Sequence, residues 1–131
     1  MNLLLDTHLL LWAAGFDLDA NMLPRRAAAL IEDEANVLHF SPASLWEVAI
    51  KSALGRRDFE ADPHLLRRGL IENGYVELAI TSEHAAAVAR LPAIHKDPFD
   101  RMLISQATCE GVILLTADAK VASYGGPIQR V

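Results

Sequence analysis

Two short apolar runs, Leu3-Leu4-Leu5 near the start and Val112-Ile113-Leu114-Leu115 near the end, constrain this chain more than any other feature. Neither alternates with polar residues. Each therefore suits a strand buried on both faces, as in a parallel sheet covered by helices, rather than a strand with one wet face. Between them helical and strand signals alternate. Thr7 to Ala14 reads as a helix closed by Gly15, Phe16 to Met22 as loop, and Pro24 to Glu34 as a helix with Ala27, Leu30 and Ile31 at helical spacing. Val37 to Phe40 is a second strand. A capping residue followed by proline then recurs at Ser41-Pro42, Asp62-Pro63 and Asp97-Pro98, opening helices towards Leu54, Asn73 and Cys109. Tyr75 to Leu78 reads as a third strand, Ser82 to Leu91 as a helix, and Pro127 to Val131 as a short edge strand. This alternation predicts an α/β fold with a mainly parallel central sheet of four to five strands.

The 131 residues suit one domain spanning 1–131, and at 52% hydrophobic they can bury a real core. The net charge of −5 excludes a protein that coats nucleic acid by bulk electrostatics, so any RNA contact must be local. Cys109 is the sole cysteine, which rules out an intramolecular disulfide and points to a small, at least partly buried side chain. The first apolar run is cut at once by Asp6, Thr7 and His8, so it is no signal peptide, and no apolar stretch approaches the roughly eighteen residues of a membrane span. The cytoplasm is the expected compartment.

Both apolar strands end at acids. Leu5 runs into Asp6, and Leu115 runs into Thr116 and then Asp118. The carboxyl ends of parallel strands share one edge, where ligands of open α/β sheets bind, so the two acids are expected to share a cleft. Asp100 lies in the first turn of the Pro98 helix, and Glu47 interrupts an apolar helical stretch, Ser44 to Ile50. Each acid alone has a plainer use: Asp6 and Asp118 as helix caps, Asp100 at a helix dipole, Glu47 paired with Lys51 one turn on. Gathered together, carboxylates repel and resist burial, a cost that a divalent cation removes. A set of oxygen donors without interposed Cys or His selects Mg²⁺ or Mn²⁺, the ions that serve phosphodiester hydrolysis.

The segments Leu3 to His8 with Leu11-Trp12-Ala13, Ser44 to Lys51, His95 to Ile104 and Leu115 to Asp118 resemble, in order and spacing, the PIN-domain family, and most of all its VapC-type toxin branch. Asp97-Pro98-Phe99-Asp100-Arg101 and the Thr116-x-Asp118 ending are the most specific parts. The resemblance implies a three-layer α/β/α fold and a metal-dependent endoribonuclease, the toxin of a VapBC-type toxin–antitoxin pair. Asp6, Glu47, Asp100 and Asp118 fall on the family's catalytic and metal-binding quartet for Mg²⁺ or Mn²⁺, with Thr7 and Thr116 supporting. Asp97 is extra to the quartet and suits a helix cap, while Arg101 either orients Asp100 or meets phosphate. An RNA substrate, a homodimer and a VapB-type antitoxin that plugs the acidic cleft are implied as partners.

Other readings are weaker. A haloacid-dehalogenase phosphatase needs a second carboxylate two residues after the first, where this chain has His8. A catalytically silent PIN-like module that binds RNA or protein has no reason to keep four costly acids. The histidines His8, His39, His64, His84 and His95 show no ligand spacing and suit surface or supporting roles, and Trp12 and Trp46 read as core. The charged runs Arg56-Arg57-Asp58 and Glu60-Ala61-Asp62 read as an exposed, mobile, solvated loop. Gly125-Gly126 lacks the lysine of a phosphate-binding loop.

Overall fold

The computed structural model describes residues 1–16 and 22–131. The loop expected from Phe16 to Met22 therefore lies largely outside the described residues. In chain order the elements are β1 (Asn2–Leu5), α1 (Thr7–Ala13), α2 (Arg25–Glu32), β2 (Val37–Phe40), α3 (Pro42–Ala53), a 3₁₀ turn (Arg57–Phe59), α4 (Pro63–Glu72), β3 (Val76–Glu77), α5 (Ser82–Ala87), a second 3₁₀ turn (Val88–Arg90), α6 (Pro98–Glu110), β4 (Ile113–Thr116), α7 (Ala119–Ala122) and β5 (Ile128–Arg130). The strands form one sheet in the order β3-β2-β1-β4-β5, and every pairing is parallel.

The apolar strands are buried on both faces, as the absence of alternation predicts. Leu3 and Leu5 join a cluster with Leu9 and Leu10 of α1, Ala27 of α2, Val48 of α3 and Leu66 and Leu70 of α4. Leu4 points the other way, towards Leu103, Ile104 and Ala107 of α6 and Val121 of α7. The result is a three-layer α/β/α sandwich. The chain leaves β1 for β2 on one side, whereas it leaves β4 for β5 on the other. Neighbouring strands whose connections part in this way open a crevice at their carboxyl ends.

All three cap-and-proline devices operate: Ser41 accepts from Ala43 N–H, Asp62 from His64 N–H, and Asp97 from Phe99 and Asp100 N–H. Gly111 closes α6 at φ +67, a left-handed conformation that turns the chain into β4. Several boundaries shift. Pro24 stands before α2 rather than inside it, and that helix stops at Glu32 because Asp33 turns the chain, its carboxylate accepting from Ala35 N–H at 3.0 Å. The helix expected to Leu91 tightens after Ala87, where Arg101 takes the Val88 carbonyl at 3.1 Å.

One expectation fails. Trp46 is 64% exposed, one position off the α3 stripe of Ala43, Ser44, Glu47 and Val48 that faces inward, and it meets Phe99 edge-on at 5.3 Å. The charged residues after Gly55 are exposed as expected, while Phe59 among them is only 2% exposed and anchors its 3₁₀ turn in the core.

Candidate metal centre

Register builds the first part of the site. Leu5 pairs with Leu115, which sets Asp6 beside Thr116, and the buried Thr116 hydroxyl donates to Asp6 Oδ2 at 2.6 Å. The other oxygen, Oδ1, caps α1 by accepting from Leu9 N–H at 3.0 Å. Thr116 Oγ1 also accepts from Asp118 N–H at 3.0 Å, so one hydroxyl fixes both strand-end acids. Asp118 in turn caps α7, accepting from Lys120 and Val121 N–H.

The helices bring the remaining acids. Glu47 projects from the inward face of α3, only 3% exposed, and its two oxygens have different partners. The Thr7 hydroxyl donates to Oε1 at 2.6 Å, with Ser44 Oγ 2.9 Å from Thr7, and the Lys51 ammonium donates to Oε2. Lys51 also reaches Asp97 Oδ2 at 3.1 Å. Asp100, in the first turn of α6, lies with Oδ2 2.8 Å from His95 Nε2. Asp6, Glu47, Asp100 and Asp118 thus line one cleft of about 160 Å³, shared with Thr7, His8, Lys51, Arg56, Phe59, His95 and Asp97.

The electrostatics of the cleft are uneven. Burial raises the pKa of Asp6, and nearby Glu47 adds to it, more than the bonds from Thr116 and Leu9 and the charge of His8 can offset. Burial likewise lifts Asp100, with Asp97 adding repulsion and the His95 bond opposing, to about 6. Burial also acts against the charge of Asp97, but Asp100 N–H and Lys51 outweigh it and hold this carboxyl below its ordinary value. The Lys51 ammonium is raised, because Glu47 and Asp97 more than compensate for its own burial. The cleft therefore holds acids that resist ionising where no cation faces them, beside acids already satisfied by one.

This arrangement suits a divalent cation. His95, Asp100 and Asp118 each offer a ligand atom within 4.8 Å of one another, and Asp6 lines the same cleft. Two carboxylates that repel each other, with a ring nitrogen beside them, are a donor set that a divalent cation satisfies.

Sequence reasoning missed or left open several of these neighbours. Arg101 does not bond Asp100 directly and is not among the residues lining the cleft: its guanidinium donates to the carbonyls of Pro92 at 2.9 Å and Val88 at 3.1 Å and to Tyr124 Oη at 3.1 Å. Tyr124 in turn accepts from His95 N–H at 2.8 Å, so the two side chains hold the segment that aims His95 at Asp100. His84, expected at the surface or in support of the site, is fully buried away from the cleft, where it closes a capping box with Thr81 and meets Glu110 at 2.7 Å. Phe59 reaches the cleft from a segment whose charges conceal its one buried aromatic ring. Among the described residues no helix is long and apolar enough to cross a membrane.

The profile of a family described as the PIN domain matches residues 3–127. Among solved structures, the chain is similar to one in the crystal structure of VapBC2 from Rickettsia felis bound to a DNA fragment from their promoter, with a TM-score of 0.67 and 14% identity over 99% of this chain and 98% of that chain. At that identity the likeness is one of fold. A search of curated proteins by sequence returned no match.

Proposed function

Because this chain belongs to the PIN-domain family, we propose that residues 1–131 form one such domain, a metal-dependent endoribonuclease that hydrolyses RNA phosphodiester bonds with water. The observation that carries this reading is the convergence of four acids, from β1, α3, α6 and the end of β4, on one cleft at the crevice between β1 and β4. Asp6, Asp100 and Asp118 are the proposed ligands of an Mg²⁺ or Mn²⁺ ion. Glu47 is the fourth acid, oriented by Thr7 and held by Lys51.

A bound divalent ion supplies the charge that activates water and stabilises the leaving oxygen. The chain's own residues prepare the place. Thr116 aligns Asp6 and Asp118, and the Arg101–Tyr124 clamp holds His95 against Asp100, so the donors are fixed before any ligand arrives. Arg56 also lines the cleft, its exposed guanidinium bound through two nitrogens to Asp58.

The toxin role rests on the resemblance to VapC-type sequences and on the fold shared with a VapBC2 assembly. A VapB-type antitoxin fits this reading, since an acidic cleft attracts a basic inhibitory side chain. A homodimer and a cytoplasmic setting belong to the same proposal.

The test is incubation of antitoxin-free protein with a mixed RNA pool in Mn²⁺, Mg²⁺ or EDTA, beside Asp100→Asn. Cutting by the wild type in metal alone, lost in the variant, is expected. Equal behaviour of the two proteins would remove the support for a nuclease and leave an RNA- or protein-binding module as the better reading.

A further inference from the structure

Lys51 is held in a way that a surface lysine is not. An exposed pair one helical turn apart swings freely and contributes little. Here the Lys51 side chain is 16% exposed, and its ammonium is fixed by groups from three elements. It donates to Glu47 on α3 and to Asp97 at the start of α6, and it lies 4.5 Å from the ring centroid of Phe59 and 5.5 Å from that of Phe99. Two carboxylates and two aromatic faces make a cage for a cation.

The partners of the other acids differ in kind, Asp100 facing the His95 ring at 2.8 Å rather than a lysine. Asp6 accepts from a hydroxyl and a backbone N–H, and Asp118 from two backbone N–H groups. Such donors orient a carboxylate without bringing a full compensating charge. Glu47 alone of the four is met by a full positive charge from lysine. Paired catalytic ions stand about 3.5 to 4 Å apart between shared carboxylates. An ammonium bound to both Glu47 and Asp97 occupies the space between these two carboxylates and repels a dication there.

We propose that Lys51 is a resident cation of the cleft, standing where a second divalent ion would otherwise sit beside Glu47, so that the site takes one ion, at Asp6, Asp100 and Asp118. This rests on the metal-dependent reading above and assigns its ion count. Glu47 becomes a positioning residue, tying α3 to α6 through Lys51 and Asp97.

The experiment is a count of Mn²⁺ bound per chain without RNA, by calorimetry and by electron paramagnetic resonance of the free ion, with circular dichroism to verify folding. The wild type is expected to bind one ion. Lys51→Met should bind two, Lys51→Arg one, and the double variant Glu47→Gln/Lys51→Met one again. Glu47→Gln alone should keep its ion with affinity changed by less than about threefold, whereas Asp118→Asn should lose more than about tenfold. The Glu47→Gln and wild-type results need no stable Lys51→Met protein. Two ions on the wild type, a folded Lys51→Met that still binds one, or loss of the ion in Glu47→Gln would overturn the inference while leaving a metal site standing. A wild type that binds no Mn²⁺ would overturn the metal reading and this inference with it.

Discussion

Asp100→Asn should make the metal-free protein more stable at neutral pH. The Asp100 carboxyl sits at about 6 in the fold against an ordinary value of 3.8, so the folded state holds its proton more tightly than the unfolded chain does. That contribution is fully present below about pH 4 and is lost as pH rises through about 6, which amounts to about 3 kcal/mol by neutral pH. Asparagine keeps the shape and never ionises. It replaces the His95 contact less well than the protonated acid does, at about 1 kcal/mol, which leaves a net gain of about 2 kcal/mol. For a chain of this size that is a rise of roughly 8 °C in Tm. Thermal unfolding in EDTA at pH 4 through 8, followed by circular dichroism, should show the two proteins close together at pH 4 and diverging across pH 4 to 6. Saturating Mn²⁺ should then stabilise the wild type more than the variant. A variant no more stable than wild type at pH 7 in EDTA, or a gap that does not change with pH, would refute the claim that burial and the neighbouring acids resist the ionisation of Asp100.

Other perturbations probe the supports. Thr116→Val removes the hydroxyl shared by Asp6 and Asp118 and leaves Asp6 Oδ2 buried without that donor; chemical denaturation should show a loss of about 1 to 3 kcal/mol, and Mn²⁺ binding should weaken. Phe59→Ala opens a cavity beneath the 3₁₀ turn and removes one wall of the Lys51 cage. It should cost about 3 to 5 kcal/mol, read in the same assay, and should make the backbone amides of residues 56–60 exchange faster.

Much of the fold was legible because it depends on local signals. Runs without alternation announced doubly buried strands, and Ser or Asp before proline announced helix starts, so Leu3 to Leu5 and the helices at Pro42, Pro63 and Pro98 needed no tertiary information. The convergence of Asp6 with Asp118 was legible too, since parallel strands align their carboxyl ends. What escaped depended on contacts distant in sequence. Phe59 reads as one apolar residue among charges until the core offers it a place. Trp46 reads as core until the stripe on α3 is known to turn it outward. The spacing of Glu47 and Lys51 suggested a surface pair, and only the arrival of Asp97 and Phe99 from α6 turns that pair into a caged ion pair inside the cleft. Arg101 looked like a phosphate or carboxylate ligand because its partners are backbone carbonyls, which carry no sequence signal.

The claim that the cleft directs water at an RNA phosphodiester bond is tested most directly by the chemistry of the ends it makes. Attack by water leaves a linear phosphate monoester facing a free hydroxyl, whereas attack by the neighbouring 2′-hydroxyl leaves a 2′,3′-cyclic phosphate. Mass spectrometry of fragments from a short RNA cut by wild-type protein in Mn²⁺ should find linear ends alone, and none when EDTA is present. Cyclic phosphate ends, or fragments that form equally well in EDTA, would contradict it.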